Sequence, residues 1–178
     1  MRAELIPHPD SPPGPVNRIG VDAERHGGVL SLWFRVDGAI GDVTLPPPAA
    51  GRADDLWRTT CLEAFVGGGK GEGYVELNLS PSGQWQAYAF DGYREGRKEA
   101  HVEEPDLRVA IAPDHLEAAA RVGLDGEAAA ARDWTLALSA VLEHADGGKS
   151  YWALAHPQGP PDFHKPSNFI LSLPLEAA

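Results

Sequence analysis

Short apolar runs recur along most of the chain, and nearly every one is closed by Gly, Pro or Asp. Residues 29–36 set the pattern: Leu30, Leu32, Phe34 and Val36 fall on one side, Ser31, Trp33 and Arg35 on the other. That period of two is the signature of a half-buried strand. Similar runs at 40–45, 60–66, 74–80, 84–90, 107–112, 116–122, 134–142, 151–156 and 168–173 predict further strands. Before them, Pro7, Pro9, Pro12, Pro13 and Pro15 make residues 1–15 an extended arm. Two segments compete as helix. Residues 127–132 have high helix propensity but span barely two turns, and 116–121 follow a Pro-Asp pair that suits a helix start. Many short strands with frequent turn signals predict an all-β, two-sheet antiparallel sandwich, with residues 1–178 as a single domain.

Residues 74–90 carry the most information. Pro81-Ser82-Gly83 reads as a three-residue hairpin connection with Gly where positive φ is required. Pairing outward sets Leu79 opposite Trp85, Asn78 opposite Gln86 and Glu76 opposite Tyr88. Alternation then gives one face Val75, Leu77, Leu79, Trp85, Ala87 and Ala89, which is core. The other face carries Tyr74, Glu76, Asn78, Gln84, Gln86 and Tyr88. In the preceding strand, Leu62, Ala64 and Val66 reach the core only if Glu63 and Phe65 share the polar face, because the opposite register buries Glu63 among leucines. Glu63, Glu76, Asn78, Gln86 and Tyr88 are therefore expected on one patch, flanked by Phe65 and Tyr74. Carboxylates and amides that bind hydroxyls, beside rings that stack on C–H faces, suit a saccharide. The same alternation also describes the solvated face of an ordinary antiparallel sheet.

Composition narrows the partners. The 178 residues hold 15 Lys and Arg against 26 Asp and Glu, a net charge of −11, which disfavours nucleic-acid backbones. The one cysteine, Cys61, has no disulfide partner within the chain. No apolar run approaches membrane-spanning length, and the first ten residues lack a signal-peptide core, so a cytoplasmic protein away from membranes is expected. The glycines of 67–73 lack the Lys-Ser/Thr and following helix of a phosphate loop and read as a hairpin connection.

The stretch 57–66, the glycine loop, 74–85 and Asp91-Gly92-Tyr93-Arg94 together resemble the family 9 carbohydrate-binding-module-like, DOMON-like domains. The shared pattern is an acidic residue within an apolar strand, then a strand of the form aromatic-x-Glu-x-Asn-x-x-Pro-x-Gly. Residues 151–164 look like a small bacterial stand-alone branch of the same group. The resemblance implies a sandwich with a sugar on one concave face, gripped by charged and amide side chains, and Glu63, Glu76 and Asn78 stand at matching positions. With Gln86, Tyr88, Arg58 and Arg94 they form the expected non-catalytic binding set for a small saccharide or glycan. At least one of the two glutamates is expected to contact an arginine, Arg58 as the leading candidate and Arg94 as the second, and neither is expected to titrate near neutrality.

Other chemistries use overlapping residues. Glu63 and Glu76 as a carboxylate pair would make a glycoside hydrolase, a separation of about 5–5.5 Å suiting a retaining mechanism. A face of this kind, or the Pro-rich loops, would also serve a protein partner. His156, Asp162 and His164 are a candidate metal set, and the turn at Asp54-Asp55 a candidate structural calcium site. Haem, the other ligand of DOMON-like domains, is usually held by a Met/His pair; Met1 is the sole methionine, leaving only bis-His ligation among His101, His115, His144, His156 and His164. Arg94, Arg97 and Lys98 read as a solvated basic turn. The expected protein carries no cofactor.

Overall fold

The computed structural model describes residues 1–68, 72–126 and 130–175. Thirteen strands form among them: β1 (Arg2–Pro7), β2 (Val16–His26), β3 (Val29–Gly38), β4 (Gly51–Arg52), β5 (Cys61–Gly67), β6 (Tyr74–Leu79), β7 (Gln84–Phe90), β8 (Lys98–Glu99), β9 (Asp106–Ile111), β10 (His115–Gly123), β11 (Asp133–Glu143), β12 (Lys149–Ala153) and β13 (Leu171–Pro174). Hydrogen bonding runs along one path, β4-β7-β6-β5-β11-β12-β1-β2-β3-β10-β9, with β13 on β11 and β8 on β7. Every pairing is antiparallel except the short β4–β7 contact. No helix is long and apolar enough to cross a membrane among the described residues.

β1 makes the path continuous. Its first part, Arg2 to Leu5, pairs with β2, and its end, Ile6 and Pro7, pairs with β12. The first part of the expected extended arm, Arg2–Pro7, is thus a strand joining two halves of the sheet. Pro7 closes the strand, and the prolines of an unstructured-looking segment lie beyond it. β2 escaped the sequence reading because a bulge between Val16 and Arg18 breaks its alternation and Arg25, an apparent surface residue, is buried. The expected strand at 40–45 is instead a single 3-10 turn, Ile40–Asp42, followed by one bridge from Val43 to His144. Gly41-Asp42 favours the turn, and the prolines at 46–48 remove the donors a ladder needs. β12 ends at Ala153, short of the expected 156, and residues Pro166–Asn168 form a 3-10 turn before β13. The strand reading of 116–121 holds within β10. The helix-prone run at 127–132 and the glycine loop fall partly on residues 127–129 and 69–71, outside the described part.

The main core lies between the halves. Ile19, Leu30, Leu32 and Phe34 from β2 and β3 meet Leu62, Ala64, Leu77, Leu79, Leu136 and Leu138 from β5, β6 and β11. The β6–β7 register follows the parity argument: Leu79 opposes Trp85, Asn78 opposes Gln86 and Glu76 opposes Tyr88. A second, smaller cluster of Phe65, Tyr74, Tyr88, Phe90 and Ala137 occupies the opposite face of the same strands. Phe163 and Phe169, from the segment between β12 and β13, pack on it. That covering layer decides the character of the site.

Candidate functional site

Strands β5, β6, β7 and β11 present their even-handed polar residues to this second face. Glu63 is paired across the ladder with Asn78 on one side and Ser139 on the other, while Glu76 lies between Phe65 and Tyr88. Glu63 and Glu76 are therefore diagonal neighbours on adjacent strands. An ordinary sheet surface would leave them wet. Here Glu63 is 2% exposed and Glu76 5%, with Asn78 and Gln86 equally buried. Both carboxyl groups still line a cavity of about 530 Å³, so they form its floor. Its walls include Trp57, Tyr88, Phe90, Tyr151 and Phe163.

Each carboxyl is held by one neighbour. Ser139 Oγ donates to Glu63 Oε2 at 2.9 Å, and Asn78 Nδ2 donates to Glu76 Oε1 at 2.9 Å. Burial pushes the Glu63 carboxyl up to about 8, and the charge of Glu76 adds to it; Ser139 and Arg94 offset this only in part. Burial also raises Glu76, against the opposing pull of Asn78, Arg94 and Arg97. Near pH 7 Glu63 is a neutral acid, and the expectation that both glutamates stay ionised is corrected. Two like charges side by side in a dry floor cannot both persist.

The arginine expectation is corrected as well. Arg58 follows the 3-10 turn Leu56–Arg58 outward, 3.3 Å from Asp55 and 5.2 Å from the Trp57 ring centre, and does not line the cavity. Arg94 lines it but pairs with Asp162 at 2.9 Å, acting on the glutamates only through its field. Asn78 and Gln86 stand behind the lining. Asn78 also accepts from the Cys61 thiol at 3.7 Å; Gln86 accepts from Arg52 at 2.8 Å and donates to Asp54 at 3.2 Å. Tyr88 donates its hydroxyl to the same Asp54 oxygen while its ring faces the cavity.

His164, named in the sequence only within the candidate metal and haem sets, lies beside the floor. Its Nδ1 lies 2.7 Å from the Tyr74 hydroxyl, and its Nε2 lies 4.0 Å from Glu76 Oε2. The Tyr74 oxygen also accepts from the Arg94 backbone N–H at 3.3 Å, so this hydroxyl ties the His164 ring to the loop after β7 while Nε2 faces Glu76. Burial, then the Arg94 charge, lowers the imidazole to about 4, so it is neutral at physiological pH. Asp162 is taken by Tyr93 and Arg94, and His156 Nε2 donates to the Ile6 carbonyl, 2.9 Å away. No cluster of three or more His, Cys, Asp or Glu side chains suited to a metal occurs among the described residues, so the candidate metal set does not converge. Asp54 and Asp55 are likewise engaged, with Tyr88 and Arg58. His101 and His115 bond to aspartates and His144 to Ser150, away from the cavity. Trp57, Arg97, Lys149, Tyr151 and Phe163 were missed as cavity residues because they come from a 3-10 turn, from loops and from the short strand β12, none of which the hairpin's alternation reaches.

The fold has solved counterparts. A Bacteroides uniformis protein with a provisional carbohydrate-binding assignment superposes with a TM-score of 0.65 at 18% identity, over 99% of this chain and 86% of its own. A family 9 carbohydrate-binding module from Caldicellulosiruptor kristjanssonii is similar in its cellotriose complex, with a TM-score of 0.57, 10% identity and coverage of 98% and 83%. Its glucose complex gives a TM-score of 0.54 and 9% identity over 90% and 78%. Neither a protein-family model nor a curated protein matches the sequence. The chain has a carbohydrate-binding-module-like β fold.

Proposed function

We propose that the protein binds a saccharide in the cavity floored by Glu63 and Glu76. The two halves of the sheet act as the layers of a sandwich, the first as support and the second as the binding face. One observation carries the reading: two adjacent buried carboxyl groups, Glu63 held neutral near pH 7 and Glu76 raised less by its surroundings, open into an aromatic-walled cavity. A protonated carboxyl donates a hydrogen bond and a carboxylate accepts two, so together they serve both roles of vicinal hydroxyls. Neutral His164 adds a further polar ring nitrogen beside Glu76. The less covered wall rings, Trp57, Tyr151 and Phe163, suit the C–H surfaces of a pyranose. The similarity to modules solved with glucose and cellotriose supports the same ligand class.

The test is calorimetry with a monosaccharide and oligosaccharide panel on wild type and Glu76→Gln. The variant keeps size and loses charge, and a charge-assisted hydrogen bond lost here weakens binding about tenfold or more. Binding that Glu76→Gln leaves intact would reject the site. A second reading follows from one specific feature, a protonated acid beside a second carboxyl. With Glu63 as proton donor and Glu76 as the other carboxylate, the cavity would hydrolyse a glycoside. Release of the phenol from an aryl glycoside, lost in Glu63→Gln, would establish it over simple binding.

A further inference from the structure

Although acidic residues outnumber basic ones 26 to 15, three cations, Arg94, Arg97 and Lys149, line the cavity. Their bonding differs. Arg94 is committed to Asp162. Arg97 has no carboxylate within ion-pair distance among the described residues; its guanidinium carbon lies 4.8 Å from the centre of the Tyr88 ring. Lys149 donates to a neutral acceptor, the Arg58 carbonyl, and also has no carboxylate partner among the described residues. The nearby anions are engaged elsewhere. Glu76 is held by Asn78, Asp54 by Tyr88 and Gln86, and Asp162 by Tyr93 and Arg94. Arg97 is exposed and Lys149 half-buried. Although the Arg97 field reaches Glu76 and Asp54, neither cation is closed off by an ion pair among the described residues, so both stand open to an anionic group on a ligand. A guanidinium resting on a ring face keeps its N–H fork for a planar anion, and an ammonium beside it adds a point charge.

Resting on the saccharide reading, we propose that the ligand is an acidic saccharide, a sugar bearing a carboxylate or phosphate, whose anionic group lies against Arg97 and Lys149 while its hydroxyls reach Glu63 and Glu76. Charge also fixes the orientation. An anionic group turned to the floor would meet Glu76, whereas a hydroxyl there finds both a donor and an acceptor. The acidic saccharide is thus distinguished from a neutral one by a part of the cavity the floor does not use.

Calorimetry on matched pairs tests this: glucose against glucuronate and glucose 6-phosphate, galactose against galacturonate, and short neutral and uronate oligomers. The acidic member of at least one pair binds about tenfold tighter at low ionic strength, and the preference shrinks at about 0.15 M salt. The carboxylate and phosphate arms tell which anion is meant. Arg97→Gln and Lys149→Gln each reduce the acidic-to-neutral ratio several-fold, Arg97→Lys retains part of it, and Arg121→Gln, exposed on β10, leaves it unchanged. Neutral sugars binding as tightly as their acidic partners would overturn the inference and leave the saccharide reading standing. So would a preference that survives the double replacement of Arg97 and Lys149. If no sugar of either kind binds, the saccharide reading fails and this inference with it.

Discussion

At the scale of single residues, Glu63 and His164 pull the stability of the protein in opposite directions with pH. Glu63 is raised from its ordinary 4.5 to about 8, so the folded state holds a proton that the unfolded chain releases between those values. Its contribution is complete below about 4.5 and is lost as pH rises through 8. His164 is lowered from 6.5 to about 4, so its contribution is complete above 6.5 and is lost as pH falls toward 4. Below 6.5 the two slopes oppose. Between 6.5 and 8 the unfolded histidine sheds its remaining proton, so its opposing slope fades and that of Glu63 comes to dominate. Urea unfolding across that window should show stability falling with pH, by less than the roughly 1.4 kcal/mol per pH unit of one whole proton, and Glu63→Gln should remove the fall. A wild-type curve already flat from 6.5 to 8 would mean Glu63 ionises in the folded protein. Glu76→Gln should lower the Glu63 midpoint, read by carboxyl-carbon NMR, because it removes the neighbouring charge. Alternation along residues 74–88 was enough to place these side chains on one face. Their burial was not legible, because it depends on Phe163, His164 and Phe169, nearly ninety residues further on and free of any period.

At the scale of elements, the β6–β7 hairpin fixes which face each glutamate takes, and its turn fixes the hairpin. Gly83 holds φ at +98°, and a Cβ there would stand 2.8 Å from the Ala49 carbonyl oxygen. Both terms oppose any other residue: the backbone conformation is one L side chains rarely adopt, and the carbonyl belongs to a neighbouring backbone segment. Gly83→Ala should cost on the order of 1–3 kcal/mol, seen as a lower denaturant midpoint at unchanged slope. An unchanged midpoint would mean the turn relaxes and does not set the register. This turn was readable because Pro-Ser-Gly between two alternating runs has a local cause. Strands β1 and β2 were not, for equally local reasons: prolines crowd the first and a bulge with a buried arginine disguises the second. Arg25 reaches the Gly27, Ala131 and Arg132 carbonyls and packs 4.0 Å over Trp134, partners that no pattern in β2 announces. Tertiary hydrogen bonds thus allow a charge at a position where alternation alone predicts an apolar residue.

At the scale of the molecule, the cavity exists because the chain between β12 and β13 returns over the second face, and one carboxylate clasps that return. Asp162 accepts from the Tyr93 hydroxyl at 2.5 Å and from Arg94 Nη2 at 2.9 Å, both on the loop after β7, and also from the His164 backbone N–H at 3.2 Å. These bonds hold its carboxyl below the usual range despite partial burial. Beneath the clasp, Phe163 and His164 pack on the small aromatic cluster, whereas the main core draws nothing from residues 155–170. The cover is therefore tied to the floor mainly through Asp162 and a few rings, and its opening is separable from global unfolding. Asp162→Asn should weaken the charged bonds, raise amide hydrogen exchange across residues 157–166, and leave β2, β3 and β10 protected as before. Ligand affinity should fall with it, because a looser cover exposes the Glu63 carboxyl to water and ends its neutrality, shifting its midpoint down toward 4.5. The two readouts check each other. Exchange that rises in the cover and in β3 together would show one cooperative unit, and an unchanged Glu63 midpoint in a loosened cover would show that the strands alone keep the floor dry.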